Sequence, residues 1–111
     1  MNYNIIPIDK FKKEAKRLIK KYPSLKKELS ELNLLLITNP TAGTPLGNDS
    51  YKIRLGIKSK NTGKSGGARI ITYVISEDKE VYLLTIYDKA DLDTVDDKTL
   101  RKIIQSIKSG Q

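Results

Sequence analysis

The spacing of the apolar residues in this 111-residue chain changes near residue 50, and this change limits the folds open to it. Through residues 9–37 apolar side chains recur every three or four positions, as on one side of a helix. Through residues 52–87 they alternate with polar residues or form short continuous runs, as in strands. A chain of this length supports one core. The pattern therefore predicts a single α+β domain spanning residues 1–111.

The first half predicts a short strand followed by two helices. Residues 2–8 are rich in isoleucine, but Pro7 lacks an N–H group, which favours an edge strand. Two amphipathic stretches follow, one on each side of Pro23, and predict a helical hairpin. The segment Asn39–Ser50 holds two prolines and two glycines and predicts a loop.

The second half predicts three strands and a final helix. The strands fall near residues 52–57, 69–75 and 81–87, and the short connections between them favour an antiparallel meander. Asp96 or Asp97 caps a last helix with the apolar stripe Leu100, Ile103, Ile104 and Ile107. We expect a twisted antiparallel sheet with the helical hairpin on one face and the opposite face uncovered.

Charge is distributed unevenly along the chain, whose net charge is +8. Residues 10–27 carry nine Lys or Arg and one acid, and residues 51–69 carry six and none. Residues 76–99 carry eight acids and three lysines. Clustered cations favour a polyanionic partner such as RNA. For residues 10–27 the solvated face of an ordinary helix remains an equal alternative.

Several classes of protein are excluded by composition. The chain has no cysteine and no histidine, which removes thiolate nucleophiles, disulfides and the commonest general base and metal ligands. No apolar run is long enough for a membrane span, and the N-terminus lacks the pattern of a signal peptide. We therefore expect a cytoplasmic protein with no metal, no small-molecule cofactor and no membrane partner.

Cations and tyrosines are predicted to share the uncovered face of the sheet. The residues are Lys52, Arg54, Arg69, Tyr73 and Tyr87, with Lys60 and Lys64 at the rim in a glycine-rich connection. Arginine can hold phosphates through two hydrogen bonds, and tyrosine can stack on unpaired bases. The alternatives are core packing for both tyrosines and a surface ion pair for Arg69.

Such a face has the groups that RNA cleavage requires. RNA supplies its own nucleophile, the 2′-hydroxyl beside the scissile phosphate, so the protein must provide proton transfer and positive charge. A lysine with a lowered pKa, or a tyrosine, can exchange a proton where histidine is absent.

Three motifs resemble the HigB-type branch of the RelE/ParE toxin superfamily. They are Lys52-Ile53-Arg54, the run from Gly63 to Ile71 (GKSGGARII), and the run from Tyr82 to Lys89 (YLLTIYDK). The resemblance implies an α+β toxin of a bacterial toxin–antitoxin pair. It further implies ribosome-dependent, metal-independent cleavage of messenger RNA, with a cognate protein antitoxin and the ribosome as partners.

The resemblance matches family functional positions to Lys52, Arg54, Lys64, Arg69, Tyr87 and Lys89, and the pattern of cations and tyrosines adds Lys58, Lys60 and Tyr73. The catalytic candidates are Arg54, Lys60, Lys64, Arg69 and Tyr87, and the RNA-binding candidates are Lys52, Lys58, Tyr73 and Lys89. Ala90 and Asp96 stand where some relatives carry an arginine and a tyrosine, so general base and acid stay unassigned. Two other functions remain open: a ParE-like toxin that binds a protein such as DNA gyrase without cutting RNA, and an inactive RNA-binding relative.

Overall fold

The helices and strands follow the order that the apolar periods predict, with one additional strand. The computed structural model describes residues 2–60, 66–91 and 95–110. Its elements are β1 (Asn4–Pro7), α1 (Asp9–Lys21), α2 (Leu25–Thr38), β2 (Thr44–Gly47), β3 (Ser50–Leu55), a 3-10 turn (Lys58–Lys60), β4 (Ala68–Ile75), β5 (Glu80–Asp88) and α3 (Asp97–Ser109). Within these ranges no helix combines the length and the apolar character that crossing a membrane would need.

The strands form one five-stranded sheet in the order β1-β5-β4-β3-β2. The predicted antiparallel meander is confirmed in β3, β4 and β5, and the predicted edge position of β1 is confirmed as well. Because β1 pairs with β5 in parallel, the sheet is mixed and not purely antiparallel as expected.

The predicted loop over Asn39–Ser50 is wrong in part, because it contains β2. This strand pairs with β3 through a tight hairpin in which Asn48 and Asp49 have φ angles of 54° and 62°. Asparagine and aspartate tolerate this left-handed backbone, and two such residues in sequence suit a hairpin turn. The sequence of β2, TPLG, is short and contains proline and glycine, so it shows no apolar alternation that would predict a strand.

The larger core lies between the helical hairpin and one face of the sheet. Phe11, Ala15 and Leu18 of α1 and Leu25, Leu32 and Leu36 of α2 are buried there. They meet the side chains of every second residue of the central strands, including Ile53, Ile70 and Val81. The helical hairpin on one face, as predicted, is confirmed.

The opposite face of the sheet is covered in part by α3, contrary to expectation. Leu100 and Ile104 of α3 are buried in one cluster with Ile71, Leu84 and three tyrosines of β4 and β5. The apolar stripe of the last helix has to be buried somewhere, and the helical hairpin already occupies the other face. Asp96 caps α3, as predicted, by accepting a hydrogen bond from the Thr99 N–H group at 2.7 Å.

Candidate functional site

Three of the predicted catalytic residues form one row across the sheet. Arg54 of β3 lies directly opposite Arg69 of β4, and Arg69 lies directly opposite Tyr87 of β5. Residues paired in register on neighbouring strands project from the same face. We call Arg54, Arg69 and Tyr87 the reactive row. It lies at the end of the sheet where β3 stops, β4 starts and β5 stops.

The reactive row is open at one end and buried at the other. Arg54 is exposed, whereas Arg69 is 4% and Tyr87 7% exposed. The Arg69 guanidinium donates a hydrogen bond of 3.1 Å to the Ala68 carbonyl, and the Tyr87 ring belongs to the apolar cluster that includes Leu100. The row is therefore brought together as predicted, but most of it is not on an open surface.

The predicted RNA-binding residues are distributed around this row. Lys52 is half-buried on the same face of β3 as Arg54. It lies two residues earlier in the strand, opposite Ile71. Lys89 directly follows β5, and its N–H group donates to the Gly67 carbonyl at 3.0 Å. Lys58 has an exposed side chain in the 3-10 turn. Tyr73 is buried beside Tyr82, with 6.5 Å between the ring centroids, so it packs in the core and its ring is not exposed for stacking.

Lys60 lies apart from the reactive row, in an ion pair. Its ammonium group contacts the carboxylate of Asp88 and donates a hydrogen bond of 2.9 Å to the Gly66 carbonyl. The side chains of Lys60 and Asp88 are 15% and 2% exposed. The ammonium also lies 5.6 Å from the centre of the Tyr22 ring. Lys60 was expected as an open cation at the rim, and the structure places it in this enclosed pair.

Asp88 stays charged because several donors face its carboxylate. Burial raises the pKa of Asp88, but hydrogen bonds from Lys60, from the Ala90 N–H group and from the Tyr22 hydroxyl lower it, and the net shift is downward. The Ala90 and Tyr22 bonds measure 2.9 and 3.0 Å. A carboxylate with these donors is held as an anion in the folded protein.

The 3-10 turn that carries Lys60 is attached to the helical hairpin as well. The Lys58 N–H group donates to the buried carboxylate of Glu28 at 2.7 Å. Ser59 and Ser24 exchange two backbone-to-hydroxyl hydrogen bonds, of 2.8 and 3.1 Å. Lys58 and Ser59 are therefore bound to the start of α2, and Lys60 is bound to the end of β5.

Sequence reasoning missed the partners of this turn. Asp88, Glu28 and Tyr22 were not among the candidates. The carboxylate that ends the otherwise apolar run VYLLTIYD is the one signal that could have indicated Asp88. Lys64, a predicted catalytic residue, falls outside the described residues.

A cavity between α2 and β3 does not resemble an RNA site. It measures about 530 Å³. Glu28 and Glu31 line it together with Lys52, Arg54 and Leu35. Its carboxylates oppose the binding of a phosphate. In residues 2–60, 66–91 and 95–110, no cluster of three acidic side chains is arranged as a metal site would require.

The reactive row combines two positive charges and a phenol on one face of the sheet. Two arginines directly opposite each other repel, and an anion bound beside them removes that repulsion. Their guanidinium groups can donate paired hydrogen bonds to phosphate oxygens, and the adjacent tyrosine carries a hydroxyl group that can exchange a proton.

Comparison with known proteins identifies the fold. No family model matches the sequence. The structure is similar to the E. coli RelE toxin in the free state, studied as a double arginine-to-alanine mutant, with a TM-score of 0.64 and 19% identity over 96% of this chain and 99% of that chain. It is also similar to the crystal structure of the isolated E. coli RelE toxin, with a TM-score of 0.53 and 23% identity over 95% and 98%. The chain therefore has the fold of the RelE toxins.

Proposed function

We propose that this protein is the toxin of a toxin–antitoxin pair and cleaves messenger RNA on the ribosome. The fold shared with RelE supports a toxin, and the motifs quoted above favour the HigB-like branch. The observation that carries the proposal is the reactive row, Arg54–Arg69–Tyr87, aligned across three strands. A cognate antitoxin that blocks the activity and a cytoplasmic location belong to the same proposal.

The proposed reaction uses the 2′-hydroxyl of the RNA as nucleophile. Its oxygen attacks the adjacent phosphorus, the bond to the 5′-oxygen of the next nucleotide breaks, and a 2′,3′-cyclic phosphate forms. Arg54 and Arg69 stabilise the negative charge that develops on the phosphate oxygens. One proton leaves the 2′-hydroxyl and one reaches the departing 5′-oxygen, and in this proposal the Tyr87 hydroxyl exchanges a proton with one of these oxygens. Lys52 and Lys89 bind neighbouring phosphates, and Lys64 stays a predicted contributor. The reaction needs no metal ion or cofactor for these steps.

Replacement of Arg54 by glutamine tests the proposal at the most accessible member of the row. Because Arg54 is exposed, Arg54→Gln should leave the fold intact. Loss of one transition-state contact costs on the order of 2–4 kcal/mol, so we expect cleavage to slow by roughly 30- to 1000-fold. The measurement is primer extension on messenger RNA from bacteria expressing each variant, together with cleavage of message on purified programmed ribosomes.

Arg101→Gln is the matched control, because it removes the same charge from an exposed position on α3. It should cleave at the wild-type rate. Intact message in growth-arrested cells that express the wild-type protein would contradict the proposed activity. Equal slowing in both variants would remove the reactive row from the mechanism.

A second function is favoured by the burial of Arg69, Tyr73 and Tyr87. A toxin that only binds a protein target, such as DNA gyrase, has no need for these side chains to reach RNA. The same expressing cells distinguish the two functions. Double-strand breaks and an SOS response with uncut message would establish the protein-binding alternative.

A further inference from the structure

The Lys60–Asp88 pair attaches both ends of the glycine-rich segment, residues 60–66, to the end of β5. Lys60 precedes residues 61–65 and Gly66 follows them. The Lys60 ammonium binds the Gly66 carbonyl and the Asp88 carboxylate at the same time. This ammonium therefore joins the beginning of the segment, its end, and β5.

The backbone strengthens the same connection. The Lys89 N–H group donates to the Gly67 carbonyl at 3.0 Å, so the residue after Asp88 holds the residue after Gly66. Asp88 lies opposite Ala68, and Tyr87 lies opposite Arg69. Asp88 is thus one position along β5 from Tyr87 of the reactive row and on the opposite face of the sheet, and Lys60 reaches it from the 3-10 turn.

We propose that Lys60 and Asp88 are positioning residues, which hold the ends of the glycine-rich segment and the reactive row at a fixed separation without contacting RNA. This inference rests on the proposed function. It replaces a direct role for Lys60 with an indirect one, because an enclosed ammonium group bound to a carboxylate is poorly placed to receive a phosphate.

Several further contacts hold the 3-10 turn and Asp88 in place, as a positioning role requires. Glu28 and Ser24 bind the turn from the helical hairpin, and the Tyr22 hydroxyl orients the Asp88 carboxylate. A reacting group misplaced by about 1 Å can slow an enzyme about 100-fold. The loss of this pair should therefore lower the rate of cleavage much more than it lowers the affinity for RNA.

A double-mutant cycle of Lys60→Met and Asp88→Asn tests this inference. Cleavage of message on programmed ribosomes gives kcat and KM, and thermal unfolding confirms that each variant is folded at the assay temperature. We expect each single variant to lower kcat by about 10- to 100-fold with KM changed less than about threefold. The double variant should be no slower than the slower single variant, because both changes remove one unit.

Further variants separate positioning from direct chemistry. Lys60→Arg, which can bind the same carboxylate, should recover most of the rate, and the pH dependence of kcat should keep its shape in all variants. If Lys60 contacts RNA directly, Asp88→Asn releases it, so RNA affinity should rise and the rate should not fall. That result, or losses in the two single variants that multiply in the double variant, would overturn the inference.

The failure of this inference is distinguishable from failure of the proposed function. Wild-type rates in Lys60→Met and Asp88→Asn, with Arg54→Gln inactive, would reject the positioning role alone. Absence of cleavage by the wild-type protein would reject both. If Lys60→Met does not fold, Asp88→Asn retains the size of the side chain and its oxygen acceptor, and its kcat alone decides the outcome.

Discussion

At the scale of single residues, Asp88 shows how hydrogen bonds stabilise a buried charged group. Its carboxylate is 2% exposed, yet Lys60, Ala90 and Tyr22 all donate to it. A buried ion pair is costly to desolvate, and removing one partner leaves the other charge uncompensated. Asp88 and Lys60 therefore depend on each other for their stability in the fold.

The lowered pKa of Asp88 predicts a specific loss of stability in acid. Burial raises the pKa, but the hydrogen bonds outweigh it, so the folded value lies below the unfolded value of about 3.9. The ionised carboxylate therefore stabilises the protein above about pH 4, and this contribution is lost as the pH falls through the lower, folded value. Asp88→Asn should cost about 3 kcal/mol of unfolding free energy at pH 7. The difference from wild type should shrink as the pH falls below 4.

Urea unfolding of both proteins between pH 3 and 7 measures this difference. Asp91→Asn is the control, since Asp91 is exposed and should change little at any pH. A cost of Asp88→Asn that stays constant over the whole range would show that the carboxylate charge is not what the fold uses.

At the scale of elements, the start of β4 has to approach the end of β3 very closely. A Cβ atom placed on Gly67 would lie 2.1 Å from the Leu55 carbonyl oxygen and 3.1 Å from the Gly56 Cα atom. The backbone atoms of Leu55 and Gly56 leave no room for a side chain at residue 67. Glycine at this position lets the two strands converge where the reactive row and the Lys60–Asp88 pair meet.

Gly67→Ala should therefore separate the two strand ends and destabilise the domain. We expect a loss of about 2 kcal/mol in the free energy of unfolding, typical of overpacking in a tight interior. Gly110→Ala provides the control, because its added methyl group would lie 3.4 Å from the nearest atom, the Ser106 carbonyl oxygen. Urea unfolding compares the two variants, and equal stability of both would contradict the steric reason for glycine at residue 67.

At the scale of the whole molecule, the charge is separated along the fold. Cations dominate α1 and the strands up to Arg69, and acids dominate the region from Glu77 to Asp97. The exposed lysines of α1 lie on the side of that helix that faces away from the core. A net charge of +8 with this polarity gives the protein a long-range attraction for polyanions, which salt screens.

RNA affinity should consequently fall steeply with salt. The logarithm of the association constant should decrease linearly with the logarithm of salt concentration, by about 0.7 for each phosphate of single-stranded RNA that is contacted. Arg54→Gln should reduce the magnitude of this slope by about 0.7, and Arg101→Gln should not change it. Fluorescence anisotropy with a labelled single-stranded RNA measures the slope, and an unchanged slope in Arg54→Gln would remove Arg54 from the phosphate contacts.

The sequence by itself determined the α+β class, the helical hairpin and the meander. Which residues of an element are buried, such as Leu18, Leu32 and Ile70, depends on the side of that element they occupy. The spacing of apolar residues therefore predicts it. Strand alternation also predicted that Arg54, Arg69 and Tyr87 would meet, because pairing in register carries alternate residues onto one face. The strand β2 was not predicted, because its four residues show no clear apolar period.

Only the tertiary structure decided which charged side chains are exposed and which are paired. Lys60 and Asp88 are 28 residues apart, and nothing in the spacing of either one indicates that the two charges meet. The cover over Tyr73 and Tyr87 likewise depends on where α3 finds an apolar surface. Such contacts join residues that are distant in the chain. They depend on how complete elements pack together, whereas periodicity reports only which side of its own element a residue occupies.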